Sequence, residues 1–199
     1  LARPAVVAVA VLGVLVLSSC RSPEPEPAAA ALRFYREHVT VEPSEGRVRV
    51  LGVYYFRNES ERPLATAIEY PFPVDRFQMV PFRIRVWERT DSGLTPLGFI
   101  RGDASVRWQM RFAPHEDRTV QVEYVQEIKR NRAVYIVTTT HAWGRPIELA
   151  EFEFRIPALL KGVDLSFEPD SVSVAGDTTV YFMRATDFLP DSDLTVTWQ

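Results

Sequence analysis

From residue 32 to the C-terminus, apolar side chains recur at every second position in short runs, and Pro, Gly, Asp, Asn and Ser cluster between the runs. That alternation marks half-buried β-strands separated by turns. The clearest runs are Val106, Trp108, Met110 and Phe112, interleaved with Arg107, Gln109 and Arg111; Val120, Val122 and Tyr124; and Phe152, Phe154 and Ile156. Val48, Val50, Tyr54 and Phe56 share one face of a further run, which Gly52 interrupts. Pro43-Ser44-Glu45-Gly46 and Asn58 to Pro63 supply turn chemistry. The pattern predicts about twelve strands, among them 33–42, 47–57, 97–101, 133–140 and 147–156. Strands do not alternate with helices, and no long fixed-period repeat is visible. The expected fold is therefore all-β, an antiparallel two-sheet β-sandwich over residues 32–199. The basic turn Lys129-Arg130-Asn131-Arg132 marks the place for an internal boundary, near 129–133.

The N-terminal pattern is different. Ala5 to Leu17 holds only Ala, Val, Leu and one Gly, and Arg3 is the only charge before it. A short basic end and an apolar core of about a dozen residues make a secretory signal. A membrane-spanning helix needs roughly 20 such residues. Leu17-Ser18-Ser19-Cys20 then resembles the lipobox of bacterial lipoproteins. The resemblance implies that residues 1–19 are a signal peptide removed before Cys20, that the Cys20 thiol carries a diacylglyceryl group, and that the new amine is acylated. Arg21 stands where the enterobacterial version of the family carries an inner-membrane-retaining Asp. The resemblance thus implies an outer-membrane anchor facing the periplasm of a Gram-negative cell. Residues 21–31, RSPEPEPAAAA, read as an extended tether reaching up to roughly 30 Å at about 3.1 Å per residue.

A second resemblance lies within the β region. Val53-Tyr54-Tyr55-Phe56-Arg57-Asn58, a turn with Pro63-Leu64, and Tyr70-Pro71-Phe72-Pro73 are similar to the opening of vault/inter-alpha-trypsin (VIT) domains. Phe112-Ala113-Pro114 and the strand to Tyr124 resemble a later part of the same family. It would cover Val48 to about Gln126, and it implies a β-sandwich engaged in protein–protein contact. Phe188-Leu189-Pro190 ahead of a strand closing on Trp198 is similar to the ending of uncharacterised secreted bacterial β proteins.

Composition narrows the function classes. The formal charge is −3, and losing the single positive charge of Arg3 makes it −4, too mild a balance to predict a nucleic-acid partner. Cys20 is the sole cysteine, so the fold rests on burial and hydrogen bonding without disulfides. Twelve Phe, seven Tyr and four Trp supply the large apolar groups.

Motifs for catalysis are missing. The sequence has no Gly-x-Ser-x-Gly elbow, no Ser-x-x-Lys and no phosphate-binding glycine loop. His38, His115 and His141 show no two-histidine zinc spacing. No cofactor or metal is expected. Asp187, Asp191 and Asp193 read as turn formers before calcium ligands, Arg101-Gly102-Asp103 as a turn, and Glu151 and Glu153 as a solvated strand face beside Glu148. His141, Trp143 and Arg145, in one connection between strands, combine a titratable ring, an indole and a guanidinium. They are the candidate ligand or partner contacts, although a packed Trp143 plug explains the loop equally simply. The expected function is a non-catalytic envelope protein, anchored through Cys20, that engages a protein partner or acts as a scaffold. The alternatives are a glycan- or peptide-binding lipoprotein and, last, a carboxylate-based hydrolase.

Overall fold

The structure is a computed structural model and describes residues 31–199. The expected signal peptide (residues 1–19), Cys20 and all of the expected tether except Ala31 lie outside the described residues. Fourteen strands run in chain order: β1 Leu32–Ser44, β2 Arg47–Asn58, β3 Leu64–Pro71, β4 Arg83–Thr90, β5 Gly93–Pro96, β6 Ile100–Arg101, β7 Ser105–Phe112, β8 Asp117–Glu127, β9 Arg132–Tyr135, β10 Ile147–Pro157, β11 Asp164–Leu165, β12 Ser171–Ala175, β13 Thr178–Phe188 and β14 Leu194–Thr197. A 3-10 helix covers Thr138–Trp143. The described residues are nearly all-β, as the alternation predicts.

The strands form one large sheet and two small ones. The large sheet runs β12-β13-β10-β1-β2-β8-β4-β5, and the small sheets run β3-β7-β6 and β11-β14-β9. The inner face of the large sheet carries Val39, Val41, Val50, Val122, Phe152 and Phe154, all essentially solvent-free. Both small sheets join the same core cluster through Ile68, Trp108, Met110, Tyr135, Leu194 and Val196. The β3-β7-β6 sheet lies toward β8, where Tyr70 and Phe72 meet Tyr124 edge-on. The β11-β14-β9 sheet lies toward β10, where Tyr135 meets Phe152. The seam between the two small sheets therefore runs over β1 and β2.

Four expectations need correction. The expected sandwich has about twelve strands in two sheets; the second layer is in fact split in two, and the described residues hold fourteen strands. The pairing is not wholly antiparallel, because β1 and β10 run parallel, with Val39 opposite Phe152 and Val41 opposite Phe154. No hairpin joins these two strands, so turn geometry does not dictate their relative direction. The predicted strand 133–140 ends at Tyr135. The Asp193 carboxylate accepts hydrogen bonds from the Val137 and Thr138 N–H groups at 3.0 and 3.1 Å and from the Thr138 hydroxyl at 2.8 Å, and this draws the backbone into the 3-10 turn. In the predicted strand 97–101 only Ile100–Arg101 pairs as a strand, while Gly93–Pro96 makes the hairpin with β4.

Strand register decides which residues face the seam. Phe34 stands opposite Phe56 and Arg36 opposite Tyr55, which leaves Tyr35 as an extra residue in β1. A bulge of this kind reverses the in–out alternation beyond it. Leu32 and Phe34 point inward before the bulge, and Val39 and Val41 point inward after it. Glu37 is thereby turned into the core, opposite Tyr54. The outer face of the same sheet is a ladder of ion pairs, including Arg36–Glu151, Arg49–Glu123, Arg57–Asp117 and Arg155–Glu153.

Candidate functional site

The candidate site is an enclosed space in the seam. Phe34 and Glu37 of β1 and Tyr54 and Phe56 of β2 form its floor. Ile68, Glu69, Tyr70 and Pro71 of β3, with Trp108 of β7, form one wall. Tyr135 of β9 and, from the following segment, Ile136, Val137, Thr139, Thr140 and Trp143 form the other. The cavity volume is about 60 Å³. Glu69 and Thr139 are exposed, while Glu37, Tyr54, Trp108 and Tyr135 are buried, so the opening lies between the end of β3 and the 3-10 helix.

Tyrosine hydroxyls line this space as a chain. Tyr54 Oη is 2.9 Å from Tyr70 Oη and 2.8 Å from Tyr135 Oη. The Tyr135 hydroxyl donates to Glu37 Oε2 at 3.5 Å, the long end of hydrogen-bond range. Run in the order Tyr70, Tyr54, Tyr135, Glu37, each hydroxyl proton has an acceptor. The chain depends on Gly52. A Cβ at that position would lie 1.9 Å from Tyr54 Oη, so the glycine makes room for the Tyr54 ring, which leans back along its own strand.

Two polar groups in the cavity wall are poorly satisfied. Glu37 is 4% exposed, and among the described residues it has no ion-pair partner. Burial pushes its carboxyl up to about 8, outweighing the Tyr135 hydrogen bond, which pulls the other way. The Glu37 carboxyl is therefore mostly protonated at neutral pH. Trp108 Nε1 is buried without a hydrogen-bond partner. Burial likewise pushes Tyr70 and Tyr135 well above the usual phenol range, reinforced by their tyrosine neighbours. Groups left this way mark a space built to be filled by water or ligand.

The residues singled out from sequence divide. Trp143 lines the cavity and stacks obliquely on Phe34 and Phe56, with ring centroids 5.5 and 5.8 Å away. His141 and Arg145 point elsewhere: His141 Nε2 is 3.0 Å from the Pro190 carbonyl and 3.7 Å from Asp191 Oδ1, and Arg145 donates to Glu59 at 2.7 Å. The three do not converge into one contact site. His38 sits between Glu151 and Glu153 on the outer ladder, and His115 pairs with Glu61. Asp193 caps the 3-10 helix, and Asp187 adopts positive φ. Among the described residues, no three His, Cys, Asp or Glu side chains gather to hold a metal ion. Cys20 lies outside the described residues. Sequence reasoning missed Glu37, Tyr54, Tyr70, Trp108 and Tyr135 as site residues. The available signal was the switch of apolar parity from Leu32 and Phe34 to Val39 and Val41, which turns Glu37 inward.

Comparison with known proteins yields likeness of fold. No family pattern matches the sequence, and no curated protein matches it. A Legionella pneumophila protein provisionally described as nutrient binding superposes with a TM-score of 0.64 at 13% identity, over 84% of this chain and 67% of its own. An M1 zinc metallopeptidase of Deinococcus radiodurans superposes with a TM-score of 0.52 at 12% identity. The match again covers 84% of this chain, but only 42% of the peptidase. At these identities the likeness concerns architecture.

Proposed function

We propose that this chain is a lipid-anchored, non-catalytic binding protein of the bacterial cell envelope, and that it admits the end of a small molecule, glycan or peptide into the seam cavity. The observation that carries the reading is the enclosed space walled by Glu37, Tyr54, Tyr70, Tyr135 and Trp108, with a carboxyl and an indole N–H left under-satisfied. Fold likeness to a protein provisionally described as nutrient binding supports it. The lipobox at Cys20 supports the anchor, with the tether holding the domain away from the outer-membrane surface. A pocket for a whole drug-sized ligand encloses roughly 300–1,000 Å³; a cavity of about 60 Å³ suits a head group whose remainder rests at the opening beside Trp143.

The test is native mass spectrometry of the protein extracted from its envelope, together with thermal-shift screening against metabolite, glycan and peptide mixtures. The control is Thr139→Trp, which plugs the exposed opening without entering the core. A retained or stabilising ligand that is lost in Thr139→Trp is the expected result. No ligand in either assay would sink the binding reading. Cys20→Ala should abolish acyl-chain labelling and release the protein from the membrane fraction.

A second reading, contact with an envelope protein, is supported by β12. This edge strand is exposed throughout, with Val172 and Val174 open to solvent, and an unpaired edge of this kind accepts another strand. In-cell crosslinking of wild type and Cys20→Ala separates the readings: one dominant protein partner that depends on the anchor favours the edge.

A further inference from the structure

Glu37 and the rings around it bear on the chemical class of ligand, an inference that rests on the cavity being the binding site. Seven aromatic side chains surround the space, and apart from the tyrosine phenols its ionisable lining groups are carboxylic: Glu37 inside and Glu69 at the opening. No Arg or Lys lines it. Glu69 is already held by Arg107 at 2.9 Å and by the Ser105 hydroxyl at 2.8 Å. Glu37 has only the long Tyr135 hydrogen bond. An anionic ligand would meet a carboxyl and aromatic faces, whose quadrupoles repel it. A positive head group would meet attraction from both.

We propose that the seam cavity binds an organic cation, an ammonium head group that takes Glu37 as its counter-ion and stacks against the Tyr54, Tyr70 and Trp143 rings. The charge arithmetic of the site fits. The cation restores the ionised carboxylate that burial otherwise disfavours, so the pair forms as one proton leaves Glu37. Other titratable groups facing Glu37 are the phenols of Tyr135 on β9, Tyr54 on β2 and Tyr70 on β3. All three are shifted away from neutral pH and stay protonated. Glu37 is thus the group whose proton is exchanged.

The experiment is titration calorimetry of the full chain in detergent. The probes are choline and n-propylammonium, their neutral counterparts 3,3-dimethyl-1-butanol and 1-butanol, and propionate. Each is run in two buffers of different ionisation enthalpy. Binding of the cations alone is expected, with release of about one proton per cation and affinity rising about tenfold per pH unit between pH 6 and 7, both falling off as the pH approaches 8. Glu37→Gln, which keeps the shape, should weaken cation binding at least about tenfold and abolish proton release. Equal binding of the neutral counterparts, unchanged by Glu37→Gln, would overturn the cation proposal and leave the cavity reading standing. Binding of propionate alone would do the same. If none of the probes binds, the cation proposal falls; whether the cavity reading falls with it is decided separately by the Thr139→Trp comparison with native ligand mixtures.

Discussion

Glu37 shows how one buried side chain makes the fold sensitive to pH. Its carboxyl titrates near 4.5 in the unfolded chain and near 8 in the fold, so between those values the folded state holds an extra proton. The stability this difference contributes is fully present below about pH 4.5, declines as pH rises, and is gone above about 8. At pH 7 the loss is on the order of 3 kcal/mol, at 1.36 kcal/mol per pKa unit. Glu37→Gln should flatten the urea-unfolding free energy between pH 5 and 8 by that amount, and parallel curves for the two proteins would refute the assignment. Gly52 sets the other local limit. Gly52→Ala drives a methyl into Tyr54 Oη, which the Tyr70 and Tyr135 hydroxyls hold in place. Overpacking and a broken hydroxyl chain together should destabilise by about 2–4 kcal/mol in urea unfolding. The sequence carries a trace of this, since Gly52 breaks an otherwise apolar face, but the partner it yields to is set by a ring conformation that no pattern encodes.

The 3-10 helix Thr138–Trp143 is an element that local preference argues against. Three consecutive threonines follow a β-rich run, and β-branched residues favour strands. Asp193, more than fifty residues away, overrides that preference by accepting three hydrogen bonds at the start of the turn. Asp193→Ala should destabilise by about 1–3 kcal/mol, because the Val137 and Thr138 N–H groups lose their acceptor. Faster amide exchange at Val137 and Thr138 and a shifted Trp143 fluorescence maximum would register the loosened wall of the cavity. Strands with strict alternation needed no such help. β7 buries Val106, Trp108, Met110 and Phe112 and exposes the arginines between them, as its pattern predicts. In β1 the parity switch around Tyr35 was legible in principle, whereas the bulge that explains it becomes definite only when β2 fixes the register.

Across the whole molecule, strands from both sides of the basic turn at 129–132 share one sheet. β1, β2, β4, β5 and β8 precede that turn, and β10, β12 and β13 follow it. The join is the parallel β1–β10 pair, and Phe152 and Phe154 of β10 lie in the same cluster as Val39 and Val41 of β1. A chain cut between Arg130 and Asn131 should therefore give two fragments that each fail to fold alone, with collapsed amide dispersion in NMR spectra. An N-terminal fragment with native dispersion would instead establish an independent domain.

The period-2 alternation by itself determined the all-β class, most strand positions and the inward faces of β7, β8 and β10, because side-chain direction in a strand follows from position alone. The sequence also supplied the lipobox reading of Cys20. Only the tertiary structure decided that the second layer splits into two sheets, that β1 and β10 run parallel, and that the resulting seam falls over β1 and β2. Those outcomes depend on pairings between residues from 34 (Pro71 and Ser105) to 113 (Arg36 and Leu149) positions apart, for which local pattern carries no term. The cavity exists only where those long-range pairings leave the two small sheets unjoined. That is why Trp143 reaches it while His141 and Arg145, its neighbours in sequence, turn to Pro190 and Glu59 instead.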